Sequence, residues 1–169
     1  MCDKLIIEKN KIIKAYKDVD IIDETNIKYI SRCAFELCRE LKYVNIPNVI
    51  RLGPVAFRSC FILTNINIPK VKEICEATFQ HCVSLAHINL PKVVKIGRDT
   101  FYNSGLISIN IPKCKEIDKE AFGCCENLSM INSNLSEEQL IFALGSEEHY
   151  KNYLIRNREY KINKLYEEK

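Results

Sequence analysis

The chain has 169 residues, 47% of them hydrophobic and 28% charged, a balance typical of one folded domain with a continuous core. Its 25 basic and 22 acidic residues give a formal net charge of +3 without a dense basic run, which argues against a nucleic-acid-binding protein. No apolar run approaches the roughly 20 residues that a membrane-spanning helix needs, so we expect no contact with a membrane.

The first 30 residues are predicted to form an N-terminal cap and a degenerate first repeat. Residues 4–17 fit either an amphipathic helix or a hairpin that turns at Lys9-Asn10, and periodicity does not separate the two. Either element would shield the first repeat. Within residues 13–30, four side chains keep the spacing of the later repeats: Ile13, Tyr16, Val19 and Ile22.

Residues 31–134 contain a repeat of 21 or 22 residues. Such a period indicates one small structural unit per repeat, which buries its apolar face only when a neighbour stacks on it. Several columns of residues keep the same register from unit to unit. The clearest are Phe35, Phe57, Phe79, Phe101 and Phe122, then Cys38, Cys60, Cys82, Ser104 and Cys125, and then Leu41, Leu63, Leu85, Leu106 and Leu128.

Each unit is predicted to contain a short strand and a returning turn. Val44 and Ile46 alternate with Asn45, as period two requires, and Pro47 ends the strand. The segment 34–38 places apolar groups at one-turn spacing, which predicts a helical or 3₁₀ turn. One unit is a residue short, and we expect Gly105 to absorb the deletion in a tighter turn.

The repeats "AFRSCFILTNINIPKVKEI" and "AFGCCENLSMIN" resemble the BspA-type leucine-rich repeat, and the resemblance runs from Ile30 to about Asn132. It implies an α/β fold: a right-handed leucine-rich-repeat solenoid with a parallel strand sheet on one face and short turns opposite. Ser104 departs from the pattern by replacing the thiol. Members of the family are best known as surface adhesion and protein-binding proteins, and the scaffold itself carries no chemistry.

Residues 135–169 are predicted to form a C-terminal helical cap on the array, so that residues 1–169 make a single domain. Ser136 with Gln139 reads as a capped helix start, and Ser146 after Gly145 as a second. The first helix should close the last repeat. The second either folds back on the solenoid or offers an apolar stripe to a partner, with self-association through residues 146–168 as one form of this.

The nine cysteines are expected to be free thiols, most of them buried in repeat columns. Neighbouring coils about 4.8 Å apart would also allow disulfides, but the short apolar stretch Leu5–Ile7 is no secretory signal, so we expect a cytoplasmic, reducing location. Neither the cysteines nor the three histidines follow a metal-ligand or catalytic spacing. We therefore expect no metal, no cofactor and no enzymatic activity.

The outward side of the predicted strands is the candidate binding surface. Asparagines recur there in one column, where they either form a structural amide ladder or present donors and acceptors to a partner. Residues in the next column vary from unit to unit, as a specific contact surface requires, with Tyr43 the expected anchor. Scattered surface residues are the alternative. The candidate site is Tyr43, Asn45, Asn65, Asn67, His87, Asn89, Asn110, Met130 and Asn132.

The sequence thus predicts a non-enzymatic module that binds a protein or peptide along the strand face. Two alternatives stay open. In the first, the chain is a fragment of a secreted surface adhesin. In the second, it is an enzyme or small-ligand binder whose site shows no motif; such a site would need a pocket with convergent polar groups.

Overall fold

The structure, a computed structural model, describes residues 5–15 and 18–167; the side chains at positions 165 and 166 are not described. The chain starts with the strands β1 (Leu5–Glu8) and β2 (Lys11–Ala15) and then winds through coils that carry two lines of short parallel strands. The first line is β3 (Ile21–Asp23), β5 (Tyr43–Asn45), β7 (Asn65–Asn67), β9 (His87–Asn89), β11 (Ser108–Ile111) and β13 (Met130–Ser133). The second line is β4 (Tyr29–Ile30), β6 (Arg51–Leu52), β8 (Glu73–Ile74), β10 (Lys95–Ile96) and β12 (Glu116–Ile117).

The N-terminal segment is the hairpin and not the alternative helix. β1 and β2 pair antiparallel around the turn at Lys9-Asn10. β2 also pairs in parallel with β4, so a strand here extends the backbone ladder of the array, which a helix would leave open. Ile12 thereby heads the inward column that Ile30 continues.

The degenerate first repeat differs in part from its prediction. Val19 and Ile22 are buried as expected. Ile13 is only half-buried and does not occupy the phenylalanine position. Ala15 lies there instead, because its N–H donates to Ala34 O just as later phenylalanine N–H groups donate to the next coil. Tyr16 lies outside the described residues.

The predicted strand face is present, but the coils also form a second strand line that the sequence analysis did not assign. Its strands join the hairpin in one seven-stranded sheet of order β1-β2-β4-β6-β8-β10-β12. The first line is divided into two three-stranded sheets, β3-β5-β7 and β9-β11-β13. Wherever neighbouring strands of a line pair, the pairing is parallel and in register, so equivalent residues of those coils lie side by side.

The core is a set of parallel columns that run the length of the array. The five repeat phenylalanines are fully buried and stack face to face, with ring centroids 4.8 Å apart for Phe35 and Phe57 and 5.8 Å apart for Phe101 and Phe122. The neighbouring thiols donate to phenylalanine carbonyls of the preceding coil, as Cys82 Sγ does to Phe57 O at 3.1 Å. The cysteines among the described residues are free thiols.

The returning turns are hydrogen-bonded turns and not the predicted helical or 3₁₀ segments. Two positions in each turn, such as Cys33 and Leu37, have φ values of 53° and 61°, in the left-handed region that interrupts a helix. Alternate N–H groups point to the next coil: Phe35 N bonds to Ala56 O at 2.8 Å. The intervening donors bond three residues back within the turn, as Cys38 N does to Phe35 O at 3.1 Å. The backbone therefore satisfies its donors partly between coils, as in a sheet, and partly within single turns, without a continuous helix.

The C-terminal cap consists of two consecutive helices, α1 (Glu137–Leu144) and α2 (Glu147–Glu167). Ser136 and Gln139 form the predicted capping box, and Gly145 ends α1 with a φ of 89°. The end of α1 continues the ladder of the array, because Phe122 N donates to Ala143 O at 2.8 Å. α2 folds back on the last coil through the buried Tyr153, as the first of the two alternatives proposed.

Candidate strand-face binding site

The outward surface of the first strand line, here called the strand face, carries two neighbouring columns of outward side chains, one polar and one of varied character. Period-two alternation places every second side chain of these strands outward, and the parallel register stacks them from coil to coil. The variable column is Ile21, Tyr43, Asn65, His87, Ser108 and Met130. The amide column is Asp23, Asn45, Asn67, Asn89, Asn110 and Asn132.

The amide column forms a ladder of side-chain hydrogen bonds in two runs. In the first run Asn67 Nδ2 donates to Asn45 Oδ1 at 2.7 Å, and Asn45 Nδ2 donates to Asp23 Oδ1 at 2.8 Å. In the second run Asn132 donates to Asn110 at 2.6 Å and Asn110 to Asn89 at 2.7 Å. Each bonded amide has its orientation fixed by the coil before it.

The two runs do not meet, and the backbone ladder stops at the same place. Among the described residues no hydrogen bond joins Asn67 to Asn89, and β7 does not pair with β9. The second strand line continues unbroken across the same pair of coils, with Ile74 beside Ile96. The coils therefore part on the strand face alone, and we call this opening the break.

A groove of about 400 Å³ lies over the break. Ile66 at its floor is only partly buried, as is Ile131 in the last coil, whereas the equivalent Val44 and Ile109 are at most 1% exposed. Its lining includes seven of the nine residues that the sequence analysis selected, and leaves out Asn45 and Asn132. The lining residues are Tyr43, Asn65, Ile66, Asn67, His87, Ile88, Asn89, Ser108, Ile109, Asn110 and Met130.

Two residues of the strand face were not selected from the sequence. Ile21 stands beside Tyr43 at the head of the variable column and is 57% exposed, compared with 39% for Tyr43. Asp23 begins the amide ladder as an acceptor. The signal for both was available, because an inward Ile22 turns its two neighbours outward by the same alternation.

Further along the variable column, His87 Nδ1 lies 2.8 Å from Ser108 Oγ, and this contact connects two adjacent coils.

A second pocket of about 310 Å³ lies between the last coil and α2. It brings together Cys124, His149 and Arg156, the kind of polar lining that an enzyme would need. Two of these groups hold α2 in place: His149 Nδ1 bonds to Leu144 O at 3.0 Å and Arg156 Nε donates to Leu128 O at 2.9 Å. The described residues show no hydrogen bond between Cys124 and His149, and they contain no group of three potential metal ligands.

Comparison with protein families gives a decisive match. The model of the BspA type leucine rich repeat region matches residues 14–129 in six copies, well over half of the chain. The chain belongs to the BspA-type leucine-rich repeat family. The stacked phenylalanines, thiols and strand residues described above are the columns of this repeat, and the solenoid is its fold. A comparison with curated proteins gives no match.

Solved structures support the same fold for this BspA-type chain. A leucine rich cell surface protein of Faecalibacterium prausnitzii is 26% identical with a TM-score of 0.70, over 81% of this chain and 38% of its own. A leucine-rich repeat protein of T. pallidum is 25% identical with a TM-score of 0.64, over 75% of both chains. One from Bacteroides ovatus, 24% identical with a TM-score of 0.66 over 78% of this chain and 40% of its own, shows the fold alone. The chain thus spans about two fifths of the length of the F. prausnitzii and B. ovatus proteins.

Neither α1 nor α2 combines the length and the apolar character that crossing a bilayer requires.

Proposed function

We propose that this BspA-type chain is a protein-interaction module that acts by binding alone and holds an extended segment of another protein along its strand face. The groove over the break is the observation that carries the proposal. It is the place where a solenoid with otherwise continuous ladders offers unpaired polar groups next to partly exposed apolar ones.

The chemistry of the break suits a peptide backbone or a side-chain amide. Among the described residues, Asn67 Oδ1 has no donor like those that Asn45 and Asn110 receive from the next coil. Asn89 Nδ2 likewise has no acceptor there like those that Asn45 and Asn110 find in the coil before. A ligand amide carries both a donor and an acceptor and can bond to the two sides at once. Beside it, the exposed Tyr43 ring and the partly exposed Ile66 supply apolar contact, and aromatic residues commonly dominate interface energetics.

A matched pair of variants tests the proposal. Tyr43→Ala/His87→Ala removes two side chains from the groove lining. The control His81→Ala/Tyr102→Ala removes the same two residue types from the turns, where these rings make an edge contact at 6.3 Å. Both variants are first checked by circular dichroism. We expect a partner captured from source cells by the wild type and the control to be lost with the strand-face variant. Equal capture by all three proteins would place the binding surface elsewhere.

A surface-protein role is the second candidate, because the F. prausnitzii protein of similar fold is described as a cell surface protein. The free thiols of the described cysteines favour the cytoplasmic location expected from the sequence, since a reducing compartment keeps thiols unpaired. Immunofluorescence on intact and permeabilised source cells separates the two. Staining that requires permeabilisation is expected for the cytoplasmic module, and staining of intact cells would support the surface role.

A further inference from the structure

We infer that the chain has a second interaction surface, a basic face that binds an acidic segment of another protein containing apolar side chains. This surface, here called the lysine face, lies after the strands of the first line and includes the outward residues of the second line. It does not include the groove or the residues of the strand face, so the inference is independent of the function proposed above.

Three neighbouring columns of residues make up the lysine face. Within each column, equivalent residues of successive coils lie next to one another. One column follows the prolines and contains Lys70, Lys92 and Lys113. In the next column, a backbone hydrogen bond joins each residue to its equivalent in the preceding coil. This column is Lys28, Ile50, Lys72, Val94 and Lys115. Strand pairing aligns the last one, which is Lys11, Tyr29, Arg51, Glu73, Lys95 and Glu116.

The charge of the molecule is concentrated on this face. The three columns hold nine of the 25 basic residues and two of the 22 acidic ones, a formal charge of +7. The remaining 16 basic and 20 acidic residues give the rest of the chain a formal charge of −4. A modest net charge of +3 therefore conceals a strongly polarised surface of the kind that steers an oppositely charged partner.

Stability does not account for this arrangement. In the strand-paired column basic and acidic residues alternate, and Lys95 Nζ bonds to Glu116 Oε2 at 2.9 Å. Two columns away, Lys70, Lys92 and Lys113 occupy three consecutive coils. Lys70 Nζ donates to Asn48 Oδ1 at 2.6 Å, but no described acidic residue pairs with the three lysines. Like charges on adjacent coils about 5 Å apart repel one another and lower the stability of the array. An acidic partner would remove that repulsion.

The apolar residues of the face select the class of partner. Ile50 and Val94 are 38% and 36% exposed and alternate with lysines in one column. Val94 also lines a groove of about 560 Å³ together with Lys113, Lys115 and Gln139. An acidic polysaccharide has no aliphatic side chains to place there, and single-stranded nucleic acid needs aromatic stacking platforms, of which these columns supply only Tyr29. An acidic protein segment supplies both kinds of contact.

The spacing of the face defines a suitable probe. Ile50 and Val94 are two coils apart, about 10 Å, which is the span of about three residues in the polyproline II conformation, where every third side chain points to the same side. The probe is a fluorescein-labelled peptide of five Glu-Glu-Leu repeats, and its control has five Glu-Glu-Ser repeats of equal charge. Fluorescence anisotropy at low salt is expected to show the leucine peptide binding about tenfold tighter than the serine peptide, since each buried leucine adds hydrophobic stabilisation.

Two variants with equal changes of charge locate the site. Lys70→Glu/Lys92→Glu/Lys113→Glu is expected to weaken binding of the leucine peptide at least about tenfold. The second variant, Lys151→Glu/Arg158→Glu/Lys161→Glu, changes three exposed residues of α2. It is expected to change binding of the leucine peptide by less than about twofold. Ile50→Ser/Val94→Ser should abolish the preference for leucine over serine. If the lysine variant is poorly folded, Lys→Gln replacements at the same three positions serve in its place.

Several outcomes would overturn the inference. Equal loss of binding in both charge-reversal variants would show a response to overall charge alone. An oligothymidylate or vesicles containing phosphatidylserine bound as tightly as the leucine peptide, with the same loss in the lysine variant, would make the partner a nucleic acid or a membrane. Absence of peptide binding by the folded wild type would reject the acidic partner.

Discussion

At the scale of single residues, the array imposes backbone conformations that the residue types do not predict. Two turn columns have positive φ in all five coils, and none of their ten residues is glycine; Val55 at 61° is the most unusual. Each such residue costs roughly 1 kcal/mol of strain. Hydrogen bonds to the next coil hold these residues in this conformation. Because none of them is glycine, the sequence contained no signal for the positive φ values of these turns.

The thiol column is a second residue-scale feature, and here the sequence was a good guide. Cys38, Cys60, Cys82 and Cys125 are buried as predicted. Desolvation by burial raises the pKa of the Cys82 thiol from its ordinary 9.0 to about 12 and that of Cys125 to about 11. These thiols stay protonated in the folded chain at pH values where the unfolded chain ionises them.

The stability of the protein should therefore fall as the pH rises above 9. Between pH 9 and 12 the unfolded chain releases the Cys82 proton and the folded chain keeps it, which favours unfolding. Urea unfolding measured from pH 8 to 10.5 should show a shallower decline for Cys82→Ala than for the wild type, by roughly 1.4 kcal/mol per pH unit at the upper end. Parallel declines in the two proteins would contradict the raised pKa.

At the scale of elements, the coils are defined by how closely their backbones approach. Gly105 was expected to absorb the one-residue deletion through a tighter turn. The structure gives a more specific reason: a Cβ at Gly105 would lie 2.0 Å from Val83 O of the preceding coil, and its φ is not in the left-handed region. The glycine is required for close approach and not for its conformational freedom.

Gly105→Ala should accordingly destabilise the protein by about 2 kcal/mol or more, because the overlap is with backbone atoms that cannot move aside easily. Urea unfolding at neutral pH measures the loss. As a control, replacing Gly105 with the dipeptide Val-Ser restores the 22-residue spacing of Val83-Ser84 in the coil before and should cost much less. A Gly105→Ala variant as stable as the wild type would show that the two coils are not in close contact.

At the scale of the whole molecule, each coil contacts only its neighbours, so the two ends need covers of their own. The hairpin supplies one and α1 the other, with Ala143 and Leu144 buried against the last coil. Stability in such arrays is close to a sum of units and interfaces between neighbours. A defect in a cap should therefore act on the nearest coils first.

Leu144→Ala tests this nearest-neighbour coupling. Truncation of a buried leucine costs about 2–5 kcal/mol, while the control Phe142→Ala removes a ring that is 50% exposed and should cost much less. Hydrogen exchange followed by mass spectrometry should show protection lost first in residues 121–133 for Leu144→Ala, with residues 21–52 unchanged. Uniform loss of protection along the array would indicate one fully cooperative unit instead.

The sequence by itself determined the solenoid, because residue columns at a fixed period leave few other ways to bury apolar side chains. It also determined the thiol and phenylalanine columns, the helical cap with its Ser136 capping box, and the outward residues of the strand face, since alternation along a strand is a local property. What only the tertiary structure decided depends on how the coils meet. Neighbouring coils with nearly the same residues, Asn65-Ile66-Asn67 and His87-Ile88-Asn89, part at the break, and lysines far apart in the chain gather on one face. Contacts between coils set both features, and no single stretch of sequence contains those contacts.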